Sequence, residues 1–428
     1  MLDIKFIREN PGIVKKDLQK RNDKEKLEWV DDLLDKDSEY RRLLQENQKL
    51  RQGRNIITDE INKLRKQGLD FKEKVQEAKE LPDKIKQSDE KLIELKNKID
   101  YYLMRLPNIL HDSVPAGKDG NDNVVVREWG EKPKFDFELK PHGELLQESG
   151  MANFEKAAEV AGQGFYYLMG DAARLELALV HFATEFLAKE GFNLVEPPLM
   201  LRRKPYEGVT DLKDFETMMY KIDGEDLFLI ATSEHPIAAL LMNEVLEEKQ
   251  LPLKLAGYSP CFRKELGSHS IDTKGIFRVH HFNKVEQFIF CKPEDSWKFH
   301  EELLKNAETI YQKLKIPYRV VNICTGDIGI VAAKKYDIEA WFPRENLYRE
   351  VVSCSNCTAY QATRLNIKYR KGEDKEYIHT LNSTAIATSR TVRAIVENYQ
   401  QKDGTIKVPT VLQKYMGKKT IGNKGSAP

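Results

Sequence analysis

No run of 18 or more apolar residues occurs anywhere in the 428-residue chain, so no transmembrane helix is expected. The start, MLDIKFIRENPGIV, carries Asp3 and Glu9 and has no apolar segment of signal-peptide length. Cysteine is scarce: the five present are scattered, which argues against a disulfide framework and for a reducing cytoplasm. Cys354 and Cys357 form a single C-x-x-C with no second pair or histidine at ligand spacing, so two inert buried thiols are expected rather than zinc. An excess of either charge is missing too. Lys and Arg total 69 against 68 Asp and Glu, a net of +1, so any contact with nucleic acid must come from a local patch.

Glycine and proline are nearly absent from Asp37 to Leu106, where charge density is high. Tyr40, Leu43, Asn47, Leu50, Arg54, Ile57, Ile61 and Leu64 are spaced three and four apart. Leu81, Ile85, Ser88, Leu92, Leu95, Ile99, Tyr102 and Leu106 repeat the alternation. Two heptad seams broken near Gly68 predict an antiparallel helical hairpin with its turn there. Pro82 falls inside the second seam and predicts a kink or a late helix start. Each arm of about 28 residues would extend about 40 Å, too thin for a core, so a projecting rod is expected. Lys63, Arg65, Lys66, Lys72 and Lys74 outnumber Asp70 and Glu73 at its tip, which suits an anionic backbone, although a coiled coil that only spaces domains fits as well. The first 35 residues read as a small helical cap at the base of the rod.

After a Pro- and Gly-rich connector (106–134) with a short strand at Val124-Val125-Val126, the chain reads as alternating helices and strands. A helix from Gly170 to Gly191 leads to a strand stopped by Pro197-Pro198, a natural sheet edge. Residues 226–231 read as a buried strand. Thr232 or Ser233 is a plausible N-cap of a helix running to Leu246. Gly257 to Phe290 reads as two β-rich runs around a loop with Gly267, Ser268, His269, Ser270 and Gly275, predicting an antiparallel hairpin with a mobile tip. Alternation puts Phe282, Lys284 and Glu286 on one face. Arg263 on the neighbouring run completes a set that suits a phosphate, a π-face and an amine or hydroxyl, and a solvated hairpin fits the same residues. Further on, a helix is read near 293–314, strands at 318–323 and 364–369, and a helix with Arg390 in its first turn, where the dipole favours an anion. The basic stretch from Gly417 has no apolar periodicity and is expected to be disordered.

These elements together resemble a class II aminoacyl-tRNA synthetase, and within that class the seryl-tRNA synthetase family, archaeal in flavour. The helix, strand and Pro197-Pro198 are similar to the first class II motif. FRKE at 262–265 with RVHHF at 278–282 is similar to the second, and the run ending at Arg390 to the third. The seryl likeness rests on the rod, on residues 106–123, on Thr232-Ser233-Glu234, on FNKVE at 282–286 and on EVVSCSN at 350–356. The resemblance spans nearly the whole chain. It implies an α+β fold: an N-terminal helical tRNA-binding domain with a coiled-coil arm (1–110), then a catalytic domain (111–416) with an antiparallel sheet flanked by helices, and a basic tail (417–428).

The resemblance also implies serine–tRNA ligation in a homodimer. L-serine and ATP, with Mg2+ and without zinc, would give seryl-adenylate for transfer to tRNA(Ser), and to tRNA(Sec) where present. Residue by residue it gives Arg263 the α-phosphate and serine carboxylate, Glu265 the adenine amino group or acceptor end, Phe282 the adenine ring and Arg390 the γ-phosphate side. Lys264, Val279, Val351 and Val352 fall at the ATP site. Glu350 and Ser353 fall at ATP and Mg2+, and Thr232, Ser233, Glu234, Glu286, Asn382 and Thr384 at the serine pocket. Ser383, Ala385 and Ser389 replace glycines common in the third motif, and Ser233 replaces a common alanine. Two rivals remain: an amino acid:carrier-protein ligase, which would lack the rod, and a catalytically dead RNA- or protein-binding paralogue, against which Arg263, Glu265, Phe282, Glu286 and Arg390 count.

Overall fold

The computed structural model describes residues 1–211, 217–265 and 275–422. The chain divides into two compact units, Leu2–Pro107 and Asn108 onward, the latter together with Met1.

The N-terminal unit is helical: α1 (Ile4–Glu9), α2 (Pro11–Lys20), α3 (Lys24–Lys66) and α4 (Lys72–Leu103). The cap is therefore shorter than expected, because α3 begins at Lys24, where the Asp23 side chain accepts from the Lys26 N–H. The turn falls at Gly68, whose φ of +68° is the left-handed conformation that glycine adopts without strain. Helix α4 starts ten residues before Pro82 and runs through it, so the late start does not occur. One lost backbone bond is tolerated because apolar residues of α4 such as Ile85, Leu92 and Ile99 are buried. Arg54 is exposed, so that seam position does not pack.

Register in the hairpin is set by polar pairs across the helices. Buried Asn47 donates to Asp89 Oδ1 at 3.0 Å, Arg51 contacts the same carboxylate at 2.6 Å, and Lys91 lies 2.7 Å from Glu39. A buried asparagine in a heptad seam favours the one alignment that satisfies it. Nearer the base, Tyr102 donates to Asp32 at 2.5 Å, and that bond pushes its hydroxyl up to about 12.

The second unit is built on an eight-stranded sheet. In chain order its strands are β1 (Val124–Trp129), β2 (Asn193–Val195), β3 (Leu253–Phe262), β4 (His281–Cys291), β5 (Tyr318–Asn322), β6 (Lys334–Phe342), β7 (Leu347–Asn356) and β8 (His379–Ala387). Their order in the sheet is β1-β5-β6-β7-β8-β4-β3-β2, every pairing antiparallel except β2 with β3. Strand β4 is buried on both faces. Val285, Ile289 and Cys291 enter a core with helices α5 (Gly170–Lys189), α7 (Ser296–Leu314) and α8 (Thr388–Asn398). Phe288 and Phe290 enter a second core with Tyr206, Ile230 and Ile237, the last on α6 (Glu234–Ala239). Period-two alternation therefore sends the even-numbered residues of β4 to the face that carries α6.

Several local expectations change. The helix after Ser233 spans six residues, because Val245–Leu246 forms a strand against Lys368–Lys371. Residues 226–231 contain only a two-residue strand, Phe228–Leu229. The run from Arg364 begins in a short helix, Tyr360–Leu365, and becomes strand only at Lys368. Structure also continues past Gly417, since Thr420–Ile421 pairs with Ile406–Lys407. Gly267, Ser268, His269 and Ser270, the expected mobile tip, lie outside the described residues.

Candidate active site

Six elements converge on one cavity of about 140 Å3 beside the even face of β4: β4, β7, β8, the end of β3, the start of α6 and the first turn of α8. Strand β4 supplies Phe282, Lys284 and Glu286, two residues apart and hence on one face. Strand β8 supplies Asn382 and Thr384, with Thr384 directly opposite Glu286 and its hydroxyl donating to Glu286 Oε2 at 3.3 Å. A bulge at Ala385 then shifts the alternation, so Ala387 also lines the cavity while Ala385 and Ile386 enter the core. Strand β7 supplies Glu350, Val351 and Ser353. Residues three apart in a regular strand face opposite ways, and the bulge at Val351 brings Glu350 and Ser353 to the same cavity.

The start of α6 supplies Thr232 and Glu234. Ser233 holds the N-cap position but does not cap. Its hydroxyl donates to the Gly257 carbonyl at 3.3 Å, and the Glu234 N–H goes to Thr232 Oγ1 at 3.1 Å. The helix sits this close to β3 because Gly257, opposite Glu286, has no side chain. Ser233 is fully buried behind the cavity and does not line it.

Charge in the site is dense. Glu234 Oε1 accepts from Gln361 Nε2 at 2.9 Å and from Asn382 Nδ2 at 3.1 Å. Burial, then repulsion from Glu286, push the Glu234 carboxyl up to about 7. Burial also raises the Glu286 carboxyl, and Lys284, 2.5 Å away, opposes that rise. Arg263 follows β3, its backbone N–H bonded to the His280 carbonyl at 3.0 Å and its guanidinium 5.3 Å from the centre of the Phe282 ring. Arg390 is the third residue of α8. It donates to the Glu350 carbonyl at 3.0 Å, approaches the Glu350 carboxylate at 3.4 Å and packs on Phe277. Partial burial works to raise the Glu350 carboxyl, but Arg390, Lys335 and Arg263 outweigh it and hold it low.

Of the residues expected from sequence, eleven therefore meet here: Thr232, Glu234, Arg263, Phe282, Glu286, Glu350, Val351, Ser353, Asn382, Thr384 and Arg390. Lys264, Glu265, Val279 and Val352 are not in the lining. The Val279 and Val352 side chains are buried, Lys264 packs on Tyr220 with its backbone N–H bonded to Met218, and electrostatics link Glu265 to Tyr220. Two further residues matter here. Lys284 is on the cavity face by alternation, and its ammonium pairs with Glu286 at 2.5 Å. Gln361, which braces Glu234 and accepts from Thr380 at 2.7 Å, sits on a helix with no sequence signal. Cys354 and Cys357 are buried thiols raised by burial, and no cluster of three or more His, Cys, Asp or Glu able to hold a metal occurs among the described residues.

Comparison with known proteins decides the family. Residues 1–110 match the seryl-tRNA synthetase N-terminal domain, and residues 216–399 match the tRNA synthetase class II core domain (G, H, P, S and T). A serine–tRNA ligase of Methanocella arvoryzae is 62% identical over 97% of this chain and 99% of its own length. The chain belongs to the seryl-tRNA synthetase family. The crystal structure of the seryl-tRNA synthetase of Pyrococcus horikoshii, complexed with ATP, superposes with a TM-score of 0.91 at 52% identity, covering 98% of this chain and 99% of that one. The cytoplasmic serine–tRNA ligase of Naegleria fowleri, in complex with AMP, gives 0.87 at 36% identity over 99% of each chain. For this seryl-tRNA synthetase fold, the expected helical arm and the mainly antiparallel sheet with flanking helices are both present.

Proposed function

We propose that this chain joins L-serine to the 3′ end of tRNA(Ser) in two steps, with ATP as the activating substrate. The observation that carries this is the joint lining of one cavity by two arginines, an aromatic ring and three glutamates. In the first step the serine carboxylate attacks the α-phosphorus of ATP and pyrophosphate leaves. Arg263 offers paired donors to the α-phosphate and the serine carboxylate, and its guanidinium stays charged in a desolvated site. Arg390 takes the γ-phosphate side, aided by the positive end of α8. Phe282 stacks on adenine, while Lys264, Glu265 and the backbone near Val279 and Val352 serve the nucleotide from beyond the cavity. Glu234, Glu286, Thr232, Asn382 and Thr384 receive serine. A pocket built to bond a hydroxyl rejects alanine because its own polar groups are then unpaired.

Glu350 and Ser353 fit Mg2+. An ionised carboxylate and a hydroxyl on one wall of the cavity leave most of the coordination sphere to water and phosphate, as that ion prefers. When bound, the ion neutralises phosphate charge. No side chain acts as a covalent nucleophile, so positioning and charge stabilisation account for the rate. In the second step the terminal ribose hydroxyl attacks the adenylate carbonyl. The α3–α4 arm, with its basic tip, holds the tRNA, and the reading extends to tRNA(Sec) where that tRNA exists. Two chains pair through the first-motif surface, where Leu177 on α5 and Leu194 on β2 are 63% and 60% exposed, unusually open for leucines.

ATP–pyrophosphate exchange across the twenty amino acids tests this. Serine should support exchange, with threonine, alanine and cysteine as the informative near misses. Arg263→Ala should lower serine-dependent exchange at least about 100-fold, the scale of one charge-stabilising donor. Near-normal exchange by that variant would sink the assignment.

A further inference from the structure

Lys284 is 6% exposed and Glu286 1% exposed, yet both line the cavity and their charged ends meet at 2.5 Å. A buried ion pair that served only packing would lie inside the core, where an apolar pair of the same volume does as well or better. This one opens onto the space the substrate would fill. Glu286 also shares that space with a second acid, Glu234, and two carboxylates so close do not both ionise readily. We infer that Lys284 is a positioning residue for serine recognition: it keeps Glu286, rather than Glu234, as the ionised acid that accepts from the ammonium and hydroxyl of the amino acid. The inference rests on the reading of Glu286 as part of the serine pocket.

The groups that face Glu286 agree with this division. On its own strand it meets Lys284, from β8 the Thr384 hydroxyl, from the end of β3 Arg263, and from α6 Glu234; the buried thiols Cys261 and Cys354 lie near enough to feel its charge. The Arg263 Nε donates to the Ala231 carbonyl at 3.4 Å and the guanidinium faces Phe282, so Lys284, at 2.5 Å, is the cation paired with Glu286. Without it, burial and the neighbouring acid would drive a proton onto Glu286, and a protonated carboxyl accepts poorly from an ammonium group. Raising the pH would remove that proton and restore recognition.

The test is serine-dependent ATP–pyrophosphate exchange by the full-length protein between about pH 6.5 and 8.5, for Lys284→Met, Lys284→Gln and Glu286→Gln. Both Lys284 variants should raise the KM for serine at least about tenfold at the acid end. The excess should shrink toward the alkaline end, by up to about tenfold per pH unit, while the KM for ATP changes little. Lys284→Gln keeps an N–H donor, so a matching profile assigns the effect to charge. A serine KM raised by the same factor at every pH, or an ATP KM that rises instead, overturns the role of Lys284. Glu286→Gln should raise the serine KM throughout the range. If it does not, the placement of Glu286 in the serine pocket has failed, whereas an impaired Glu286→Gln beside pH-flat Lys284 variants refutes the Lys284 role alone.

Discussion

Gly257→Ala adds one methyl group at the place where α6 is pressed against β3. An ideal Cβ there would sit 2.4 Å from Ile237 Cδ1 and 2.8 Å from both Cβ and Oγ of Ser233, whereas ordinary contact begins near 3.4 Å. Rotation of Ile237 relieves only its own contact, whereas Ser233 Cβ is fixed to the start of α6, so the helix must move out by about 0.6 Å from a strand held on both sides by the sheet. Overpacking of this kind costs about 1–3 kcal/mol. The functional cost is larger, since Glu234 directly follows Ser233. A misplacement of about 1 Å at a positioning group can cost about 100-fold in rate. Thermal melts combined with exchange kinetics should show a lower melting temperature and a large rise in serine KM. The ATP KM should be spared, because Arg390, Glu350 and Ser353 stand on other elements. Ile237→Val removes the atom in the closest clash, so the double variant should recover part of both losses despite the cavity it leaves elsewhere. Wild-type melting and serine KM in Gly257→Ala, or strictly additive losses in the double variant, would refute the reasoning.

Two further expectations concern pH and the arm. The folded Glu234 carboxyl lies near 7 and its unfolded value near 4.5, so the folded state binds the extra proton between them. Its stabilising contribution is full below the unfolded value and is lost as pH rises through the folded one. Glu234→Gln, which mimics the protonated group, should exceed wild type in melts without substrates by less than about 1 kcal/mol near pH 5 and by about 3 kcal/mol near pH 8; an equal margin at both would contradict the assignment. Replacing residues 49–87 by a short Gly-Ser turn keeps the Asn47–Asp89, Glu39–Lys91 and Asp32–Tyr102 pairs. Seryl-adenylate formation should survive that truncation while tRNA charging collapses, and undiminished charging would remove the arm from tRNA binding.

Periodicity was readable wherever one face of an element is buried over a long stretch. The heptad spacing of 40–64 and 81–106 gave the hairpin, and the alternation at 282–286 gave the face that meets the cavity. It failed where an element is short or set by a distant neighbour. The run after Ser233 reads as a long helix because its local propensities are helical, yet it ends at Ala239 when Val245–Leu246 joins a strand more than a hundred residues away. Pro82 reads as a kink or a late helix start, yet α4 begins ten residues earlier and continues through it in a hairpin whose packing outweighs one backbone bond. Gln361 carries no mark in the sequence, because its role exists only once its helix lies beside Glu234.

The sequence by itself determined the identity of the chemical groups, two arginines, an aromatic ring, carboxylates and hydroxyls, and through their motifs the family. Those are properties of residue type and local order, which a linear pattern carries in full. Tertiary structure decided which groups share a cavity and in what charge state. Bulges at Val351 and Ala385 aim Glu350, Ser353 and Ala387 inward, and the gap at Gly257 admits α6. Burial beside Glu286 raises Glu234, and Gln361, from a helix more than a hundred residues on, donates to Glu234 at 2.9 Å. Register, desolvation and charge proximity arise only when distant segments pack, and no single segment encodes them.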